Sequence, residues 1–208
     1  MAAENTVRNV LLGGWITARG NIIAEGQNLL MGTVLSEVKT AGDPVAHEEN
    51  TGDGTVGDIT LSAKAKVGNY KLVCNKATGG GEFNVISPAG YSCGVAVIAK
   101  DFASGEINLK LTAGDTAFAV GDSFLIPVSG TGKYKTVSAA STEGAGNAEQ
   151  VLMIDTDASK VDVASRGWES GEFDAAHLIV AEGETAAAYR EEMRLKGMIQ
   201  IETVGGNY

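Results

Sequence analysis

Proline, aromatic residues, cysteine, histidine and positive charge are all scarce in this chain, and each scarcity removes a class of protein. Only three prolines occur, Pro44, Pro88 and Pro127, so the chain is not a proline-rich spacer. Two cysteines, Cys74 and Cys93, cannot build the disulfide framework of a small secreted domain. Both lie in apolar, strand-like stretches and read as buried reduced thiols, with a single bridge between them as the alternative. Sixteen Lys and Arg against 26 Asp and Glu give a net charge of -10. The positive residues are scattered rather than clustered, which argues against nucleic acid as a partner. No apolar run approaches the ~20 residues that span a bilayer. The opening MAAENTVRNVLLGGW has neither the basic end nor the apolar core of a secretory signal. The expectation is a soluble protein made in a reducing cytoplasm, without a membrane partner.

What is abundant is glycine, 28 residues in 208, and it punctuates short alternating apolar runs. ITLSAKA (59–65), YKLVC (70–74), EFNVI (82–86), GVAVIA (94–99), EINLKL (106–111) and SFLIPV (123–128) read as six strands separated by turn clusters. That spacing predicts an all-β sandwich or barrel. NTGDGTVGD (50–58) before this block and SGTGK (129–133) after it read as linkers. In the flanks, NIIAEGQNLLMGTVLSEV (21–38) reads as strand, turn and strand, and QVLMID (150–155), HLIVAEG (177–183) and MIQIET (198–203) as further strands. One helix is predicted at 184–197, with Thr185 as N-cap, Lys196 in the last turn and Gly197 just past the end. Ala186, Tyr189 and Met193 share its inward side. The fold class is therefore mainly β with one C-terminal helix.

Each motif that could carry chemistry fails in its context. GYSCG (90–94) fits the G-x-S-x-G pattern of a nucleophile elbow, but that elbow leads from a strand into a helix. Here Ser92 runs into CGVAVIA, another strand, and reads as a turn residue. The only histidines, His47 and His177, stand in other segments. His47, Cys74, Cys93 and His177 contain no local zinc-ligand pair. Asp53 and Asp58 lack the spacing and closing Glu of a calcium loop. GGWITARGN (13–21) and STEGAGNAEQ (141–150) lack the G-K-[ST] of a phosphate loop. Trp15 and Trp168, without interleaved basic residues, read as core or interface anchors. No catalytic residue, cofactor or metal is expected, and the chain reads as a non-enzymatic binding or structural protein.

GQNLLMGTVLSEV (26–38), GKYKTVSAASTEGAGNAEQVLMIDTDAS (132–159) and HLIVAEGETAAAYREEMRLKGMIQI (177–201) occur in an order that resembles the lambda-type head decoration proteins of tailed bacteriophages. Gly32, Thr33, Val34 and Leu35 match the family's G-T-V-L strand, and Gly132, Lys133 and Tyr134 its G-K-Y element. Gln150, Val151, Leu152 and Met153 stand at its apolar strand, and Gly197, Met198 and Ile199 at its final strand. Ser36 stands where the family has Gly. In simple members the first two elements are neighbours; here about 95 residues separate them, enough for a small domain. The resemblance implies a discontinuous decoration domain at 1–49 and 130–208, with a β domain inserted at 50–129.

The resemblance also implies a function. The family binds expanded heads as homotrimers at three-fold positions, on the outer surface of the virion. There it cements the major capsid protein against internal DNA pressure. Its N-terminal arm orders on the capsid by strand addition. Here NTVRNVLLGGWI (5–16) is the candidate, with Val7, Val10, Leu11, Leu12 and Trp15 as anchors; an ordinary first core strand is the alternative. The inserted block suits either trimer contacts or glycan binding. The rival reading is a carbohydrate-binding β module on a secreted or surface protein, which accounts for the β block but not for the flanks.

Overall fold

The computed structural model describes residues 10–77 and 81–202. The strands run in chain order as β1 (Leu11–Ile23), β2 (Gln27–Leu29), β3 (Val34–Ala41), β4 (Val45–Ala46) and β5 (Thr55–Leu61). They continue as β6 (Gly68–Lys76), β7 (Glu82–Ile86), β8 (Ser92–Val97), β9 (Asp101–Ala103) and β10 (Ile107–Thr112). Then come β11 (Ser123–Thr136), β12 (Gln150–Leu152), β13 (Thr156–Ala158), β14 (Val163–Asp174) and, after helix α1 (Arg190–Leu195), β15 (Met198–Ile201). The protein is mainly β, and among the described residues α1, near the C-terminal end, is its single α-helix. It divides into two compact units, one of residues 1–37, 132–138 and 147–208, the other of 38–131 and 139–146. The second unit therefore starts before the inserted block read from the sequence, and it takes in part of the glycine-rich loop at 141–149.

In the first unit, β1 pairs antiparallel with β14, β14 with β12 and β12 with β3. β3 neighbours β11, where the Val137 N–H donates to the Val34 carbonyl at 2.9 Å. Ile22 and Ile23 of β1 pair parallel with Lys133 and Tyr134 of β11 and close the ring. Closure at Ile22 and Ile23 covers the edge of β1 there. β15 adds in parallel to the end of β14, and β2 pairs with β13. Val10, Val34, Val151, Phe173, Tyr189, Met193 and Met198 form one buried cluster, and Ile23, Leu35 and Leu152 belong to another. Tyr189 and Met193 face inward as the helical spacing predicts. The helix itself is shorter than 184–197. Ala186–Tyr189 form a 3-10 turn, α1 covers only Arg190–Leu195, and the Thr185 side chain makes no capping bond.

In the second unit, β4, β11, β6, β7 and β8 form one sheet and β5, β10 and β9 another. Both sheets contribute to one core, in which Tyr70, Leu72, Phe83, Val85, Ile107, Leu109, Leu111 and Ile126 are buried. Phe83, Phe118 and Phe124 meet with ring centroids 5.0–6.0 Å apart. SGTGK, read as a linker, is the middle of the 14-residue β11. Pairing to neighbouring strands overrides the weak strand preference of its Gly and Ser.

The segment at 50–53 is also not a free linker. Asp122, 4% exposed, accepts backbone N–H bonds from Thr51, Gly52 and Ala119, each at 2.9 Å. Burial pushes this carboxyl up, but the three N–H donors outweigh it and hold it below the usual carboxylate range. A carboxyl depressed in the folded state stabilises above its unfolded value, about pH 4, and that stability is lost as pH falls through the folded value. Asp122→Asn is expected to lower stability by about 2 kcal/mol at neutral pH. It should also flatten the acid limb of the stability curve below about pH 4. Urea unfolding followed across pH checks both; an unchanged acid limb would remove Asp122 as its origin.

Candidate docking surface

The residues of the sequence motifs sit in local structural settings. Ser92 opens strand β8, and its Oγ donates to Asn84 Oδ1 at 2.5 Å, with no histidine among its partners. Asp53 Oδ1 accepts from the Thr116 N–H at 2.8 Å, which makes it a loop clamp. His47 Nδ1 accepts from the Glu49 N–H, and His177 Nδ1 sits 2.9 Å from Asp174 Oδ2. Cys74 and Cys93 are both free thiols, and burial pushes the pKa of each up. Among the described residues no group of three His, Cys, Asp or Glu could hold a metal ion, and no helix is long and apolar enough to cross a membrane.

The sequence candidates at the N-terminus separate into two kinds. Val7 lies outside the described residues. Val10 is a core residue, 1% exposed, and its carbonyl accepts from the Asp174 N–H at 2.9 Å. Leu11 packs against the same core. Leu12 is 41% exposed and Trp15 is 86% exposed. Ile16, not singled out in the sequence, joins them at 48%.

A local irregularity produces this arrangement. Gly13 pairs with Glu172 and Thr17 with Ser170, so three residues of β1 stand opposite the single Gly171 of β14. Gly14 supplies the positive φ of +82° that the bulge needs. Ser170 fastens it: its Oγ donates to the Trp15 carbonyl at 2.8 Å and accepts from the Thr17 N–H at 2.9 Å. The backbone at Trp15 is therefore held while its indole stands in solvent. Residues 14–20 are exposed throughout, and among the described residues no strand pairs with the outer edge of β1 before Ile22. The result is a two-stranded ribbon with one open edge and an apolar tip of Leu12, Trp15 and Ile16. Large apolar side chains grouped in solvent mark interaction surfaces, and Trp is the residue most enriched among binding hot spots.

No protein-family model matches the chain, and no curated protein matches it. Two crystal structures of Xanthomonas campestris FlgL align with it at 22% and 21% identity. They cover 52% and 51% of this chain, with TM-scores of 0.33 and 0.34. The aligned part is about a third of the FlgL chains, 34% and 33%. At that level of superposition the likeness carries no argument about fold or function.

Proposed function

We propose that this chain is a non-enzymatic head decoration protein of the lambda type. It binds the major capsid protein of a tailed phage on the outside of the expanded head, as a homotrimer at three-fold positions. The observation that carries the reading is the Trp15 ribbon, an exposed apolar anchor on an open strand edge within the segment that the family resemblance assigns to capsid contact. An open edge offers backbone hydrogen bonds to a capsid strand, and Leu12, Trp15 and Ile16 offer side chains for its pockets. One such anchor contributes about 2 kcal/mol. Three on one trimer bind together, and linkage of that kind raises avidity by about 10²–10⁴. A ligand that fits only the expanded lattice stabilises it by mass action.

The first test is the mass of the purified 21.4 kDa chain by light scattering; three-fold closure gives about 64 kDa. A monomer at high concentration would count against the reading. The sharper test is Trp15→Ala. Truncating residues 2–14 would remove Val10 from the core, whereas Trp15 touches solvent. The variant is expected to keep the parent's mass and thermal midpoint and to lose at least tenfold in affinity for expanded heads. Undiminished binding would separate the ribbon from the function.

A further inference from the structure

The second unit carries an open groove of about 540 Å³, with Val45, His47, Glu48, Glu49, Lys71 and Leu125 among its lining residues. Its floor is a row across three strands. Leu125 of β11 pairs with Val45 of β4 on one side and with Lys71 of β6 on the other. Val45 is 58% exposed and Leu125 41%, so an apolar strip stands in solvent. Neighbouring strands lie about 4.8 Å apart, which puts Lys71 about 10 Å across the sheet from Val45. On the Val45 side the rim is a fastened turn. The His47 N–H donates to the Ser123 carbonyl at 3.0 Å. Asn50 Oδ1 accepts from the Ser123 N–H at 2.7 Å, and Asn50 Nδ2 donates to the Ser123 carbonyl at 2.9 Å. Glu48 and Glu49 stand exposed on this turn. Neither carboxylate, nor the Lys71 ammonium, forms an ion pair among the described residues.

The first unit carries a surface of matching chemistry. The turn at 159–162 joins β13 to β14 and is exposed throughout. Asp157 Oδ1 accepts from the Ser159 N–H at 3.0 Å at one end of it. Asp162 Oδ1 accepts from the Glu25 N–H at 2.9 Å at the other, and Asp162 Oδ2 lies 2.6 Å from Lys133 Nζ. Between these anchors stand Val161, 60% exposed, and Lys160, which forms no ion pair among the described residues. The turn offers a cation beside an exposed apolar side chain, with the Asp157 carboxylate three residues before the cation. The groove offers two carboxylates beside an apolar strip, with an ammonium on its far side. A net charge of -10 sets copies of the chain against one another on average; here every local sign is reversed between the two surfaces.

We propose that the Lys160–Val161 turn of one copy docks in the groove of a second copy. Val161 lies on Val45 and Leu125, Lys160 faces Glu48 and Glu49, and Asp157 faces Lys71. Turn and groove are different surfaces, so the contact is heterologous and passes head to tail until the ring closes. One loop in a groove is a weak contact, but in a closed ring each copy is held by two. The inference rests on the homotrimer of the proposed function and names the surface that holds it. The Trp15 ribbon takes no part in it.

The test is light scattering of the full chain on a size-exclusion column. The parent is expected at about 64 kDa. Lys160→Glu, Val161→Asp, and Glu48→Lys together with Glu49→Lys should each run near the 21.4 kDa of one chain. All four side chains are exposed, so the variants should keep the parent's circular dichroism. Lys160→Glu combined with Glu48→Lys and Glu49→Lys in one chain should regain the trimer, because each contact then has its signs exchanged. A fault in folding would not be rescued that way. Variants that remain trimeric, or a triple variant that stays monomeric, would overturn the docking and leave the homotrimer standing. A monomeric parent would overturn the docking and count against the homotrimer, while capsid binding is read separately by co-sedimentation.

Discussion

Gly32→Ala is expected to destabilise the first unit by about 4 kcal/mol, a large share of the 5–15 kcal/mol that holds a typical domain. Gly32 has φ +92°, and a Cβ there would stand 2.5 Å from the His177 carbonyl oxygen and 3.1 Å from Val10 Cγ2. The backbone cannot simply move away. The Gly32 N–H donates to the Leu152 carbonyl at 2.9 Å, its carbonyl accepts from the Ile179 N–H at 3.0 Å, and the Val34 N–H donates to the Ile179 carbonyl at 2.8 Å. Three chain segments thus meet where a methyl group has no room. Left-handed strain contributes about 1–3 kcal/mol, and displaced hydrogen bonds and core contacts supply the rest. Gly26→Ala is the control: it has φ +86° but nothing within 4 Å of a Cβ, so it carries strain without a clash and should cost only about 1 kcal/mol. Urea unfolding of the two variants separates the causes. Equal losses would mean that the close approach at His177 is not what fixes Gly32.

In the second unit the largest effect is expected at Glu106. Its carboxylate, in a residue 8% exposed, accepts from the Tyr70 hydroxyl at 2.7 Å and the Tyr91 hydroxyl at 2.5 Å. Lys66 Nζ lies 3.0 Å from it and 4.2 Å from the centroid of the Tyr91 ring. Tyr70 is fully buried, and its oxygen accepts in turn from the Lys66 N–H at 2.9 Å. One side chain therefore ties the loop before β6, the strand β6 itself and the turn before β8. Lys66 is 40% exposed, so its ion pair is screened and contributes little. The cost of removal falls mainly on the two hydroxyls, above all on Tyr70, which would be left buried without an acceptor. Glu106→Ala is expected to cost about 3–4 kcal/mol, and Glu106→Gln, which keeps an acceptor oxygen, about half of that. A loss below about 1 kcal/mol for the alanine variant would show that the cluster is not a staple.

The second unit was the more legible in the sequence because its strands have one buried face. EFNVI alternates as a half-buried strand should, and it is β7, residue for residue. β14 was missed. VASRGWESGEFD mixes glycine with charge, and its strand character comes from pairing with β1 rather than from its own side chains. The helix was placed correctly through Tyr189 and Met193, but its first turn is 3-10, which side-chain spacing alone does not reveal. At the Trp15 ribbon the sequence points to Val10, Leu11, Leu12 and Trp15 without separating them. The bulge at Gly13–Gly14 breaks the period of two, so core and solvent positions cannot be assigned by counting. Ser170, which fastens that bulge from about 155 residues away, and the groove formed by Val45, Lys71 and Leu125 arise only from the strand pairing. Context also decided Ser92: the residues after it form a strand, as their composition predicts.

Decoration requires that the protein distinguish an expanded shell from its precursor. The most direct measurement is co-sedimentation of the purified chain with expanded and with unexpanded heads of a tailed phage stripped of decoration protein, at matched concentrations. The proposed function predicts saturable binding to expanded heads at three copies per three-fold position and none to unexpanded ones. No binding to either form, or equal binding to both, would contradict it.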